Sequence, residues 1–287
     1  MTERESQIVV GLDPDPVRLW PGAASTAGAV VTAAFADPTV PAVRAAAEVA
    51  NHCAAVIDAV AEEVVAVKLQ VACFERLGAP GWKALEASAE CARNAGLLVI
   101  ADAKRGDIDV SARAYAQGML GKTPTPFGAV AGLEADALTV NPYMGADTLK
   151  VFAEVATDTN SHVFVLVRTS NPGAADIEDL DAGGVPLWEH TAGLVTALGV
   201  GAVVGATRPE HIGRMRELMP DAIFLLPGVG AQGGKVEDLA PAFAPGPQFG
   251  LVTASRSIVG AGTGDSGHAD AARAAAAELR GTAWSIG

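Results

Sequence analysis

Short apolar runs recur along the chain, and most of them end at polar or turn-forming residues. The runs are continuously apolar rather than alternating, which is typical of parallel strands covered on both faces. Eight strands are predicted on this pattern, at 8–12, 64–71, 97–103, 135–141, 163–167, 202–204, 222–226 and 249–253.

Between most of these strands, apolar residues lie three and four positions apart, which is the spacing of one helix face. Helices are predicted at 43–63, 82–94, 110–120, 146–156, 187–198, 209–219 and 269–280.

The alternation of strands and helices predicts an α/β fold, a single (β/α)8 TIM barrel over residues 1–287. A doubly wound open sheet is the alternative. It would carry a glycine-rich turn after the first strand, where this chain has Asp13 and Pro14. The stretch from about 14 to 41 is long for a connection and is predicted to be an excursion between the first strand and the first helix.

Composition narrows the classes of partner. The net charge of −13 argues against nucleic acid or an anionic membrane surface. No apolar run reaches the roughly 20 residues that span a bilayer, and the polar first residues lack a signal-peptide core. A cytoplasmic location is therefore expected. Cys53, Cys73 and Cys91 are expected to be reduced, buried thiols, and neither a metal nor a cofactor is predicted.

A barrel of this kind places its active site at the carboxyl ends of its strands. The unusual polar residues of the chain fall at these ends, and they are therefore predicted to share one site. They are Asp13, Lys68, Asp102, Lys104, Asn141, Ser170, Gln232 and Arg256.

Two loops predict a phosphate site. Residues 227–234 form a glycine-rich loop after the seventh strand, and 255–257 form a turn after the eighth. In (β/α)8 barrels, phosphate commonly binds between these two loops on backbone N–H groups. Arg256 would add a charged clamp and Gln232 a side-chain donor. The alternative is that the glycines only make tight turns.

Lys68, Asp102, Lys104 and Asp107 form a second candidate cluster. A surface salt-bridge network is the alternative, but Lys68 and Lys104 lie at the ends of adjacent apolar strands. A lysine held beside carboxylates stays protonated, so it suits proton donation better than Schiff-base chemistry. A substrate carboxylate forced against Asp102 would be destabilised until carbon dioxide leaves. The cluster therefore favours decarboxylation, with Lys104 protonating the carbanion.

The segment Asp102-Ala103-Lys104-Arg105-Gly106-Asp107-Ile108 closely resembles the signature of the orotidine 5′-phosphate decarboxylase family, in its longer bacterial subclass (type 2). The resemblance extends to nearly every predicted strand end from residue 8 to about 260. The other matching segments are 10–14, 68–70, 74–75, 141–145, 168–172, 227–234 and 255–258.

The resemblance implies a homodimeric barrel that converts orotidine 5′-phosphate to uridine 5′-phosphate without metal or cofactor. By this resemblance, Lys104 protonates the pyrimidine carbon that loses the carboxylate, and Asp102 lies against that carboxylate. Lys68 orders the charges and contacts the ribose. Asp13 binds a ribose hydroxyl, and Ser170 hydrogen-bonds the pyrimidine ring.

The resemblance further implies that Gln232 and Arg256 hold the phosphate, and that Asp107 reaches into the neighbouring subunit's site. Ser111 stands where the family more often has Thr near the partner's ribose, and it keeps the hydroxyl. Other positions depart from the family pattern without removing a catalytic group: Leu69, Asp109 and Val110.

Three other functions stay open at this point. A sugar-phosphate decarboxylase of the keto-gulonate-phosphate type would share the charged motif but depend on magnesium. A Schiff-base aldolase would use Lys104 or Lys68 as its amine. A catalytically silent nucleotide-binding barrel would bind uridine 5′-phosphate without turning over orotidine 5′-phosphate.

Overall fold

Eight parallel strands close into a barrel in a computed structural model that describes residues 1, 4–23, 39–262 and 267–287. The order around the barrel is β1-β2-β3-β6-β7-β8-β9-β10, and β10 pairs back with β1. These strands are β1 (Ile8–Leu12), β2 (Ala66–Gln70), β3 (Leu98–Arg105), β6 (Ala137–Val140), β7 (His162–Arg168), β8 (Gly201–Val204), β9 (Phe224–Leu226) and β10 (Gly250–Ala254). The predicted (β/α)8 fold is therefore confirmed.

Helices follow the strands and cover the outside of the barrel. They are α1 (Pro41–Val60), α2 (Val71–Glu75), α3 (Ala79–Asn94), α4 (Asp109–Leu120), α5 (Ala146–Asp158), α6 (Leu187–Leu198), α7 (Pro209–Leu218), α8 (Arg256–Val259) and α9 (His268–Ile286). Between β9 and β10, where no helix was predicted, the chain forms a 3-10 helix at Val236–Phe243. Within the described part of the chain, every helix is too short or too polar to cross a membrane.

The inside of the barrel is filled by one apolar residue from each strand. Side chains alternate along a strand, so the residue two positions further on also points inward, toward the carboxyl end. The apolar layer consists of Val9, Ala66, Ile100, Ala137, Phe164, Val203, Leu225 and Leu251. A larger cluster between the strands and the helices forms the main core.

Three features differ from the sequence-based expectations. Strand β3 runs to Arg105, two residues beyond its predicted end, and its pairing with β6 is irregular after Ala101. An antiparallel hairpin, β4 (Lys122–Thr125) and β5 (Gly128–Ala131), stands after α4 where none was predicted. Cys53 is buried as expected, but Cys73 and Cys91 are only half-buried. Much of the predicted excursion at 14–41, residues 24–38, lies outside the described residues.

Candidate active site

The carboxyl ends of the strands surround an open cavity of about 490 Å³. Above the apolar layer, four strands turn polar at their inward positions: β2, β3, β6 and β10 contribute Lys68, Asp102, Thr139 and Thr253 there. Seven of the ten predicted site residues line the cavity: Asp13, Lys68, Asp102, Lys104, Ser170, Gln232 and Arg256. Asn141, which was predicted to share this site, does not line it; its Oδ1 accepts the backbone N–H of Tyr143 at 2.9 Å.

Asp102 is the centre of the charge cluster. Its Oδ2 accepts hydrogen bonds from Lys68 Nζ at 2.6 Å and from Gln70 Nε2 at 3.1 Å. Its Oδ1 accepts from Lys104 Nζ at 2.6 Å and from Thr139 Oγ1 at 2.8 Å. Two cations and two neutral donors therefore hold a carboxylate whose side chain is only 7% exposed.

The cluster keeps its members charged despite their burial. Burial alone would raise the pKa of Asp102, but the Lys68 and Lys104 ammonium groups hold it well below its usual range. Burial would likewise lower the pKa of Lys68, but the nearby carboxylates of Asp102 and Asp13 raise it above its ordinary value. Asp13 Oδ1 lies 3.9 Å from Lys68 Nζ. The site is thus a fixed array of alternating charges near neutral pH.

Lys104 differs from Lys68 in its access to the cavity. Its side chain is 44% exposed, whereas that of Lys68 is 8% exposed. The backbone of Lys104 is in the left-handed region, at φ 48°, which a residue with a side chain rarely adopts. The ammonium group is therefore held beside Asp102 and faces the open space of the cavity.

The predicted phosphate loops lie on the opposite wall. Ser170, after β7, donates a hydrogen bond to Gln232 Oε1 at 2.7 Å, so this wall joins the ends of β7 and β9. Gly228 in the same loop has φ 103°, and a Cβ there would lie 2.9 Å from Ser170 Cβ. Arg256 begins the short helix α8 after β10. The arrangement brings together the groups from which the sequence predicts a phosphate site.

Asp107 and Ser111 are not brought into this cavity by their own chain. Asp107 accepts a hydrogen bond from the backbone N–H of Ile108 at 2.8 Å, and Ser111 lies exposed in the first turn of α4. Of the two carboxylates in the predicted charge cluster, Asp102 therefore contacts Lys104 within one chain, and Asp107 is not shown to do so. Among the described residues, no group of three or more His, Cys, Asp or Glu side chains is placed to hold a metal ion.

Several polar residues of this site were given no role from the sequence, among them Gln70, Thr139 and Thr253. Gln70 and Thr139 bind Asp102 directly, and the buried hydroxyl of Thr253 has no hydrogen-bond partner among the described residues. A signal was available for Thr139 and Thr253, because both are polar residues inside otherwise apolar strands, two positions beyond a residue of the inner apolar layer.

Comparison with known proteins identifies the family to which this sequence is similar. Residues 6–272 match the family model described as "Orotidine 5'-phosphate decarboxylase / HUMPS family". A Deinococcus radiodurans protein named orotidine 5′-phosphate decarboxylase is 44% identical over 256 residues, which cover 85% of this chain and 88% of that one. A Rhodopirellula baltica protein of the same name is 42% identical over 228 residues, or 75% of this chain and 74% of that one.

Solved structures give the same result. The OMP decarboxylase of Leishmania donovani superposes with a TM-score of 0.72 at 31% identity, covering 99% of this chain and 96% of that chain. A putative orotidine 5′-phosphate decarboxylase from Streptomyces avermitilis superposes with a TM-score of 0.76 at 28% identity, covering 99% and 92%. The chain therefore belongs to the orotidine 5′-phosphate decarboxylase / HUMPS family.

Proposed function

We propose that this chain decarboxylates orotidine 5′-phosphate to uridine 5′-phosphate, as a carboxy-lyase of pyrimidine biosynthesis. One observation carries the proposal. Lys104 Nζ and Lys68 Nζ each lie 2.6 Å from an oxygen of Asp102, in a cavity whose opposite wall holds Gln232 and Arg256. A phosphate on that wall would hold the substrate with its pyrimidine ring near the charges.

The charge array fits the electronic demand of this reaction. The substrate carboxylate would lie against Asp102, whose negative charge is fixed by its four donors. Repulsion is relieved as the carbon–carbon bond breaks and carbon dioxide leaves, so the transition state is favoured over the bound substrate. The electron pair stays on the ring carbon, and Lys104 Nζ–H supplies the proton that forms the new carbon–hydrogen bond.

The remaining residues of the cavity are proposed to bind the substrate. Asp13 and Lys68 both line the cavity and lie 3.9 Å apart, so both could contact the same ribose. Ser170 also lines the cavity and would hydrogen-bond the pyrimidine ring. Gln232 and Arg256 would hold the phosphate through a neutral donor and a cation. Binding energy from the distant phosphate then helps to place the carboxylate against Asp102.

We also propose a homodimer in which each chain completes the other's site. Asp107 and Ser111 do not line their own cavity, and exposed apolar residues, Ile108 and Val110, lie between them in the chain. The apolar rim consists of Ile108, Val110, Tyr143 and Met144, which are 54%, 82%, 87% and 42% exposed. If a second copy of the chain covered the rim, Asp107 and Ser111 of the first copy would reach the cavity of the second.

Three finer assignments are part of this proposal. The longer bacterial subclass (type 2) is supported by the resemblance of the charged motif at 102–108. A single domain over 1–287, with the excursion at 14–41, is supported by the one barrel that the described residues form. A cytoplasmic location is supported by the free thiols of Cys53, Cys73 and Cys91.

The direct test is loss of orotidine 5′-phosphate, followed by absorbance, with wild type and Lys104→Ala. We expect wild-type turnover to be unchanged by a chelator. Lys104→Ala should lower kcat by at least ~10³-fold, because it removes the proton donor and one of the two cations beside Asp102. The variant should still bind uridine 5′-phosphate through the opposite wall. An inactive wild type would contradict the function, and near-normal turnover by Lys104→Ala would contradict its assigned role.

Shared sites can be tested by subunit mixing. Asp107→Ala and Lys104→Ala should each be nearly inactive alone. Unfolded and refolded together, they should form mixed dimers in which one site has both Lys104 and Asp107. About a quarter of wild-type activity is expected at equal mixing, since half of the dimers are mixed and each has one intact site. No recovery in verified mixed dimers would contradict sharing.

A further inference from the structure

Thr139 lies opposite the irregular part of β3. Up to Ala101, the residues of β3 and β6 pair one to one, with Ala101 beside Leu138. The next pair is Arg105 with Val140, so the three residues 102–104 face the single residue Thr139. Extra residues in one strand form a bulge, which leaves backbone groups without their usual partners in the ladder.

The Thr139 hydroxyl supplies the missing partner. It accepts the backbone N–H of Lys104 at 3.0 Å, and it donates to Asp102 Oδ1 at 2.8 Å. The residue is 1% exposed, so water does not compete for these bonds. One hydroxyl therefore ties together the strained backbone of Lys104, at φ 48°, and the carboxylate that its ammonium group contacts.

These two hydrogen bonds fix the distance between the Asp102 carboxylate and the Lys104 backbone, and the proposed reaction uses both residues. Asp102 supplies the repelling charge, and Lys104 supplies the proton. The side chain of Lys104 is flexible and 44% exposed, so its contact with Asp102 alone would leave the backbone free to shift. Thr139 restrains both partners from the strand that lies beside them.

We propose that Thr139 is a positioning residue for the decarboxylation. It acts through Asp102 and Lys104 by holding the carboxylate oxygen and the Lys104 backbone in one arrangement. The inference rests on the proposed function, since it concerns the rate of that reaction. It predicts that kcat depends on the hydroxyl of Thr139 rather than on the volume of its side chain.

The test compares Thr139→Val, which keeps the volume and removes the hydroxyl, with Thr139→Ser, which keeps the hydroxyl. For Thr139→Val we expect kcat to fall roughly 10- to 100-fold, the effect of one hydrogen bond to a charged group. The KM for orotidine 5′-phosphate and the Kd for uridine 5′-phosphate should stay within about threefold of wild type, because the opposite wall is untouched. Thr139→Ser should keep kcat within about threefold.

Thr148→Val is a matched control. Thr148 is also buried, at 2% exposed, and its hydroxyl donates to Gly145 O at 2.9 Å in the first turn of α5. The substitution removes one buried hydrogen bond away from Asp102. It should lower the melting temperature while leaving kcat at the wild-type value, so a loss of stability alone does not lower kcat.

Two outcomes would overturn the inference while wild type remains active: wild-type kcat in Thr139→Val, or equal impairment of Thr139→Val and Thr139→Ser. If circular dichroism shows that Thr139→Val does not fold, Thr139→Ala takes its place in the comparison, and a serine variant as impaired as the alanine variant would again contradict a role for the hydroxyl. Failure of wild type to turn over the substrate would instead contradict the proposed function.

Discussion

At the scale of single residues, Asp102 shows how a buried charge can be stable. A carboxylate in a largely buried site would ordinarily take up a proton, but four donors converge on its two oxygens. The same contacts make the residue hard to replace. Without the charge of Asp102, Lys68 would remain as a buried cation, and among the described residues its remaining counterion would be the more distant Asp13.

Asp102→Asn is expected to lower the free energy of unfolding by about 3–5 kcal/mol at pH 7, the cost of breaking a buried ion pair. The pKa of Asp102 is lowered in the folded chain, so its stabilisation is present above its usual pKa and is lost as pH falls. The difference between wild type and variant should therefore narrow below about pH 4. Denaturant unfolding at several pH values measures it.

The exposed carboxylate Glu86, inside α3, serves as the control for that measurement. Glu86→Gln should change the free energy of unfolding by no more than ~0.5 kcal/mol, because the residue lies at the surface away from the rim. A wild-type advantage over Asp102→Asn that stayed constant from pH 7 to pH 2.5 would contradict the depressed pKa of Asp102.

At the scale of secondary-structure elements, the ends of β7 and β8 approach each other too closely for a side chain between them. A Cβ on Gly205, which follows β8, would lie 2.8 Å from both Cα and N of Ser170. These are backbone atoms, so relief requires the strand ends to move apart. Thr207 Oγ1 also donates to the backbone oxygen of Ser170 at 3.0 Å, which holds the two ends together.

Gly205→Ala is therefore expected to lower the free energy of unfolding by roughly 1–3 kcal/mol through overpacking. It should also raise the KM for orotidine 5′-phosphate several-fold, because Ser170 moves with its backbone. Thermal unfolding and steady-state kinetics measure the two effects. A wild-type free energy of unfolding together with a wild-type KM would contradict a close approach that restrains the ends of β7 and β8.

Gly213→Ala is the matched control for this substitution. Gly213 lies inside α7, and a Cβ there meets no atom within 4 Å. Alanine favours a helix over glycine by about 0.8–1 kcal/mol, so the control should be more stable than wild type with unchanged KM. Comparing the two variants therefore separates the clash of a new Cβ with Ser170 from the general effect of replacing glycine by alanine.

At the scale of the whole molecule, the apolar rim is the surface on which the proposed dimer depends. Gly106 and Met144 are neighbours, since a Cβ on Gly106 would lie 3.7 Å from Met144 Cε, so the loops after β3 and β6 form one surface. Val110 is 82% exposed and lies three residues from Asp107. Exposed apolar surface beside unused polar residues is typical of an interface.

Val110→Asp should weaken the dimer at least ~100-fold, because closing the interface would bury an unpaired charge. Sedimentation should detect monomers at concentrations where wild type is dimeric, and turnover should fall in parallel. Val17→Asp alters a comparably exposed valine outside the rim, at 85% exposed, and should keep the wild-type oligomeric state. A dimeric, fully active Val110→Asp enzyme would place the interface elsewhere.

The pattern of apolar runs and polar strand ends predicts the barrel and much of its candidate site. Eight continuously apolar runs have few ways to bury both faces, so the order of strands and helices followed from their pattern. Seven of the ten predicted site residues line one cavity, because parallel strands in a barrel bring all their carboxyl ends to one rim. Their chemical roles stay predictions.

Features that depend on contacts between strands far apart in the sequence are visible only in the folded chain. The bulge at 102–104 exists relative to β6, so no local pattern predicts it or the role that we propose for Thr139. The hairpin β4–β5 is exposed along both strands, which leaves it without the apolar alternation by which strands are recognised. The periodicity of apolar residues indicates which face of an element is buried. The register of a strand and its close approach to a neighbour depend on the neighbouring strand, which the local sequence does not contain.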